Sequence, residues 1–309
     1  MTITRYAINR LIAMIPTLII LTILVFLMVQ LVPGDPAEIF LGEKRSTPEL
    51  LEQVRRDMGL DQPLYVQYLS YMGNLVRGDM GQSLFNDQPV LDQILAALPY
   101  TLTLALSALL ISTVLGVGLG IVSALKHNTW IDTMSMGIAL IGVSMPVFWL
   151  GLLLILIFSV TLKWFPPMGQ GSLDRLVLPA LTLGLLSSAT LARLVRSSML
   201  DVLSDDYIRT AHAKGLRKNA IVIRHALRNA LIPAVTVMGL QFGGLISGAV
   251  ITETIFARIG LGRMYVESIL NKDITMIQGL TLVLAFMIML INIVVDLSYA
   301  ALDPRIRYE

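Results

Sequence analysis

Residues 11–32 read LIAMIPTLIILTILVFLMVQLV, 22 positions without one charged side chain. A helix rises about 1.5 Å per residue, so about 20 apolar residues cross the hydrocarbon of a bilayer. This stretch reads as a transmembrane helix, and the fold follows from how often the pattern recurs. Arg5 and Arg10 ahead of it imitate a secretory leader. The apolar run is too long for that, however, and Pro33-Gly34-Asp35-Pro36 offers no small-residue cleavage site, so the segment is expected to stay as an anchor. Five more charge-free stretches qualify, at 100–125, 133–162, 176–192, 230–252 and 274–295. The fourth is shortest and is expected to continue as a helix past Arg193. The third is longest and carries Pro146 near its middle, which predicts a kink or tilt. Alternating strand patterns are missing, which argues against a β-barrel. The fold class is an all-α integral membrane protein of six spans.

Composition agrees. Of 309 residues, 55% are hydrophobic and only 14% charged, with a mean hydropathy of +0.75. A soluble domain carries about 25% charged residues, so this chain cannot cover a water-facing surface of its size. The net charge of +2 leaves no electrostatic footprint for nucleic acid. With no cysteine, disulfides, thiolate chemistry and cysteine-bound metals are excluded. A phosphate-cradling loop needs Gly-Lys followed by Ser or Thr, and no Gly-Lys pair occurs, so the chain is not itself an ATPase and needs a nucleotide-hydrolysing partner or a different energy source.

Orientation follows from Lys and Arg. With the N-terminus inside, the inner segments are 1–10, 126–132, 193–229 and 296–309, holding 13 basic and 7 acidic residues. The outer segments, 33–99, 163–175 and 253–273, hold 10 basic and 14 acidic. Both termini are expected in the cytoplasm. The chain then divides into residues 1–32 (tail and first span), 33–99 (an outer helical segment) and 100–309 (a five-span core containing the cytoplasmic loop 193–229).

Two loops are too long to be plain connectors. In the outer one, Ser46-Thr47-Pro48-Glu49 carries helix-start signals, followed by Leu50, Leu51, Val54 and Met58 at helical spacing and Gly59 as a stop. Asp61-Gln62-Pro63 opens a second helix through Tyr65, Tyr68, Leu69, Met72 and Val76. Two short amphipathic helices on the outer surface are expected, either packed on the bundle or serving as a dock for an outside partner. In the inner loop, Ser204, Asp205 and Asp206 suit a helix start, Lys214 its end, and Gly215 a left-handed C-cap. Ile221 to Asn229 reads as a second helix, with Pro233 in the first turn of span five. The short capped helix suits a lever engaging a cytoplasmic partner, or a basic segment on lipid headgroups.

At this loop the chain resembles the permeases of bacterial ATP-binding cassette importers, in the branch for di- and oligopeptides, nickel and glutathione. Asp206-Tyr207-Ile208-Arg209-Thr210-Ala211-His212-Ala213-Lys214-Gly215-Leu216 is similar to the branch's coupling-loop motif. His225-Ala226-Leu227-Arg228-Asn229-Ala230-Leu231-Ile232-Pro233 resembles its continuation. LVPGDPA (31–37), GLDQPLY (59–65), GDMGQS (78–83) and DLSYAALDPR (296–305) resemble further landmarks in order. Arg209-Thr210-Ala211 stands where importers at large have Glu-Ala-Ala, and Ile259-Gly260 where the branch commonly has Pro-Gly. The resemblance implies a type I importer permease fold in the bacterial inner membrane and a peptide, glutathione or nickel cargo. It also implies a second homologous permease, two ATPases and an extracytoplasmic binding protein. ATPase coupling would fall to Asp206, Tyr207, Arg209, Thr210, Ala211, Ala213, Lys214, Gly215, Leu216, His225, Asn229 and Pro233. The chain itself would be non-catalytic and hold no cofactor.

The remaining candidates are weaker. On span five, Gly243, Gly244, Ser247, Gly248 and Ile251 share a face, which serves close packing or lines the substrate path. On the second reading the path candidates are Gln241, Ser247, Thr252 and Glu253. Glu253 and Asp296 fall at span ends, in expected reach of water, and no charge lies in the six apolar cores, which argues against proton-coupled transport. Gly116, Gly118 and Gly120 read as a packing surface, and Arg193 and Arg196 as interfacial snorkels. His127, His212 and His225 are too few and too scattered for zinc.

Overall fold

A computed structural model describes residues 3–31, 48–57 and 59–302. Its helices are α1 (Ile3–Gln30), α2 (Pro48–Asp57), α3 (Leu64–Val76), α4 (Val90–Leu125) and α5 (Trp130–Ser144). They continue with α6 (Val147–Leu154, then π-helical turns Ile155–Thr161), α7 (Asp174–Ser204) and α8 (Asp206–Ala213). A turn at Lys218–Ala220 and a π-helical segment, Ile221–Ala226, lead into α9 (Leu227–Ile255), α10 (Leu261–Leu270) and α11 (Ile274–Leu302). Among the described residues there is no strand, only an isolated antiparallel bridge between Gln82 and Pro89. Among the described residues five helices are long and apolar enough to span a membrane, and α5 with α6 reaches that length and apolarity only as a bent pair, a sixth span if the two limbs cross together.

The described chain forms two compact units. One comprises Leu98–Arg263 with the end segments before Ile8 and from Leu290; the other comprises Ile8–Ala97 and Met264–Met289. The first is built around α7, 56% of whose apolar window is buried. Helices α5, α6 and α9 pack on it. Helix α4 approaches it through missing side chains. A Cβ on Gly116 would lie 2.8 Å from that of Leu191, and one on Gly120 2.7 Å from that of Val195. Gly184 on α7 meets the Ala108 carbonyl in the same way. The glycine spacing of four residues on α4 repeats one helical face, which lets the two backbones touch. Gly118 faces open space, so only two of the three expected packing glycines are used on this side.

The third span departs from a kinked rod. Met145 and Pro146 are both extended (ψ 134° and 139°), and the axis turns by 110°. Proline lacks an N–H and forces the preceding residue out of the helical region, so two consecutive residues leave the helix and the span breaks outright. The fourth span does run past Arg193, as far as Ser204. Pro233, expected in a first turn, lies inside α9 because helical backbone already begins upstream of it.

In the second unit, Val90 and Ile94 at the start of α4 pack under Gly279 of α11, where a Cβ would strike Val90. Asp273 carries its carboxylate to the Ser83 hydroxyl, the Leu84 N–H (3.2 Å) and the Met276 N–H (3.1 Å), capping α11 and pinning the 82–89 turn. Helices α2 and α3 form where the two short helices were expected along the chain, and Gly59 adopts φ +65° between them. The expected start signal at Ser46-Thr47, Met58, most of the 31–37 landmark and the end of the 296–305 landmark lie outside the described residues.

Candidate coupling surface

Helix α8 is short, and its ends define it. Asp205 is extended (ψ 147°) and separates α8 from α7, and Asp206 lies in the first turn, where the dipole favours an anion. Ser204, expected among the start signals, is instead the last residue of α7 and bonds back to the Asp201 carbonyl at 2.7 Å. At the other end Gly215 adopts φ +76°, its N–H bonds the His212 carbonyl at 2.9 Å, and the Leu216 N–H reaches Ala211 at 3.3 Å. These paired bonds close the last turn around a left-handed residue, which glycine adopts without a Cβ clash.

One face of α8 is anchored. Ile208 and Ala211 are buried in a cluster with Leu191, Val195 and Met199 of α7 and with Ile221, Val222 and Ala226. The opposite face is open. Asp206, Tyr207, Arg209, Thr210, Ala213, Lys214, Gly215 and Leu216 are all exposed. Asp206 and Arg209 pair at 3.4 Å, too exposed to add much stability. Asn229 donates to the Tyr207 hydroxyl at 2.8 Å, tying α8 to the start of α9; Pro233 is exposed beyond it and His225 half-buried. The surface is therefore a rigidly backed patch with an aromatic ring, an aliphatic side chain and basic groups. Ala211, among the expected contact residues, belongs to the core behind it.

Two polar clamps support this unit, and the charge inventory identified neither as one. Asp132, 5% exposed, accepts from Arg196 Nε at 2.8 Å and Nη2 at 2.7 Å. It also accepts from the Ser123 hydroxyl and from the Asn128 N–H at 3.0 Å, and His127 Nδ1 lies 3.2 Å away. Arg196 is thus no snorkel but a bidentate partner that joins α7 to α5 and to the end of α4. The available signal was an acid in the first turn of one span and a base in the last third of another, opposite in sign.

The second clamp is Glu253, which is 1% exposed and not in reach of water as its place at a span end implied. Its Oε1 accepts from the Thr101 hydroxyl at 2.7 Å, and its Oε2 from the N–H groups of Gly262 at 2.9 Å and Arg263 at 3.2 Å. Thr101 in turn accepts from the Leu261 N–H at 2.8 Å. Carboxylate and hydroxyl together satisfy the free donors at the start of α10. Gly260 is a glycine because the Glu253 carboxylate occupies the space of a Cβ. Arg258, 4% exposed, donates to the Arg175 carbonyl at 3.2 Å; burial lowers its guanidinium from the ordinary value, and the Glu253 charge opposes that. A carboxylate so fully bonded is a structural anchor and has no free oxygen for a relay.

The other path candidates scatter. Thr252 is buried and bonds the Gly248 carbonyl at 3.3 Å, Gln241 donates to the Ser187 carbonyl at 2.9 Å, and Ser247 is exposed. Gly243 and Gly244 have open space where a Cβ would stand, with no described residue against them. Close approach on α9 falls to Gly239, against Val295, and to Gly248 of the expected face, where a Cβ would lie 3.2 Å from the Leu183 side chain. An apolar cavity of about 440 Å³ beside it is lined by Leu109, Met238, Phe242, Leu290 and Val294, and by none of the four candidates. Among the described residues no three acidic or histidine side chains converge as metal ligands.

The family model for a binding-protein-dependent transport system inner membrane component matches residues 116–308. Its companion for the N-terminal part of such components matches residues 3–105. The chain belongs to the inner-membrane permeases of binding-protein-dependent ABC importers. It is 46% identical over 305 residues to the glutathione transport system permease protein GsiC of Escherichia coli O6:H1 (strain CFT073), covering 99% of each chain. It is equally similar, with the same coverage, to the protein of that name from Shigella dysenteriae serotype 1. In fold, the permease matches a chain of the inward-facing MetNI methionine ABC transporter with a TM-score of 0.60 at 18% identity, over 68% of this chain and 96% of that one. The type I permease architecture thus holds, and the permease is a multi-pass inner-membrane protein that works with an ATPase and a binding protein.

Proposed function

We propose that this permease is one of two pathway-forming subunits of an ATP-driven importer of glutathione or peptides of similar size. The observation that carries the reading is the 46% identity, across 99% of both chains, to permeases named for glutathione transport. Two ATPases hydrolyse Mg·ATP, and a second homologous permease completes the pathway. An extracytoplasmic binding protein delivers the cargo, and the permease itself catalyses no reaction and binds no cofactor. The loop holding α8 faces the cytoplasm, as do both termini. The exposed face of α8, with Tyr207, Arg209, Lys214 and Leu216, seats in an ATPase, and the buried Ile208 and Ala211 pass its displacement to α7 and α9. Closure of the ATPases then opens the pathway outward, and hydrolysis resets it.

The test is purification of the tagged complex with its binding protein, reconstitution in proteoliposomes, and uptake of labelled glutathione against tetrapeptide, pentapeptide and Ni²⁺ competitors. Saturable, ATP-dependent glutathione uptake resisted by the longer peptides and by nickel is expected. Preferential uptake of the longer peptides or of nickel would overturn the cargo while leaving the importer assignment intact.

A further inference from the structure

Helix α3 has the polarity of a helix in lipid and not of one in water. Leu64–Val76 contains no charged residue and is bracketed by Asp61 on one side and Arg77 and Asp79 on the other. Its apolar side chains point away from the protein: Tyr65 is 69% exposed, Leu69 65% and Val76 82%. Positions 65, 69, 72 and 76 fall on one helical stripe. Of its polar side chains, Gln67 and Tyr71 are half-buried on the opposite side, and Asn74 stands exposed at the rim. Gln67, Tyr71 and Asn74 line a polar cavity of about 390 Å³ shared with Gln30, Gln62 and Gln278.

The depth of α3 comes from its contacts with α1. Gln30 donates to Gln67 at 3.1 Å, Phe26 meets the rings of Tyr68 and Tyr71 at 5.6 and 5.9 Å, and Thr22 shares a hydrogen bond of 2.9 Å with Tyr68. Thr22 lies two turns, about 12 Å, before Gln30 along the helix. Residues 11–30 are only about as long as the hydrocarbon is thick, so Thr22 is inside it and Tyr68 is beside it. A helix on the water-facing surface would not reach that level. Tyr65 and Leu69, both uncovered, flank the Gln67 and Tyr68 that hold α3 to α1, and α1 itself presents an uncovered apolar face, with Ile20 and Leu24 58% and 60% exposed.

We propose that α3 is embedded in the leaflet at the C-terminal end of α1, with Tyr65, Leu69 and Val76 against lipid acyl chains and its amide face turned to the protein. The outer segment is then partly a membrane element, and its exposed stripe is a lipid contact, not a dock for a soluble partner.

The chain has no cysteine, so single cysteines can be labelled cleanly. Leu69→Cys and Tyr65→Cys, each spin-labelled in the assembled importer in phosphatidylethanolamine–phosphatidylglycerol nanodiscs, report collisions with oxygen and with a water-soluble nickel chelate. Asp61→Cys is the water reference and Ile20→Cys the reference on α1. An oxygen-to-nickel collision ratio several-fold above that of Asp61→Cys at both positions is expected. A ratio equal to Asp61→Cys at either position overturns the proposal by placing the stripe in water. Low collision with both reagents overturns it too, because a protein partner then covers the stripe.

Discussion

Asp132 is the residue on which three elements converge, since Ser123, Asn128 and Arg196 all donate to one carboxylate. Removing it leaves the Arg196 guanidinium without its partner where only 27% of that side chain meets solvent. Breaking a fully buried pair costs roughly 3–5 kcal/mol, and the residual exposure of Arg196 brings the expected loss for Asp132→Ala down to about 2 kcal/mol. Thermal unfolding of the purified protein reads this as a lowered midpoint. Asp132→Ala with Arg196→Ala is expected to lose less than the sum of the two single variants, and strict additivity would show that the pair is not coupled. Neither this clamp nor that of Glu253 was legible in the sequence, for a physical reason. Thr101 and Glu253 are 152 positions apart, and periodicity reports only which face a residue takes, not which distant group it meets. A charge at a span end therefore reads as interfacial, although here it is buried and bonded.

Elements were legible in proportion to how local their causes are. Apolar stretches without charge located each span, and Asp206 with Gly215 marked the ends of α8 within the chain's own ten residues. The break between α5 and α6 was visible only as a kink, because its size depends on Met145 joining Pro146 in the extended region. For α8 the consequence is specific. Proline fixes φ near −65°, whereas Gly215 sits at +76° and its N–H is engaged with His212. Gly215→Pro is expected to dismantle the end of α8 and abolish cargo-stimulated ATP hydrolysis and transport, while membrane insertion and yield are retained. Gly215→Ala, which keeps the N–H and strains only φ, costs about 1 kcal/mol and leaves most transport. Full transport by an inserted Gly215→Pro variant would remove α8 from the coupling role.

At the scale of the whole molecule, the distribution of Lys and Arg predicts which side each loop takes. The loop after α7 carries Arg209, Lys214, Arg217, Lys218 and Arg224, the bias expected of a cytoplasmic segment. Leu216→Cys is expected to resist a membrane-impermeant maleimide in intact cells and to label after permeabilisation. Trp164→Cys, in the segment between the bent span and α7, is expected to label in intact cells. Labelling of Leu216→Cys from outside would invert the orientation.

The elbow at Met145 and Pro146 carries more than local geometry. A 110° turn admits two courses: the chain can pass through the membrane on two slanted limbs, or it can dip in and return to the side it left. The first gives an even number of crossings and sets α8 on the same side as the N-terminus. The second makes the number odd, and every later loop, α8 included, changes sides. The parity of the chain, and with it the access of an ATPase to α8, therefore turns on two extended residues in the middle of the third span.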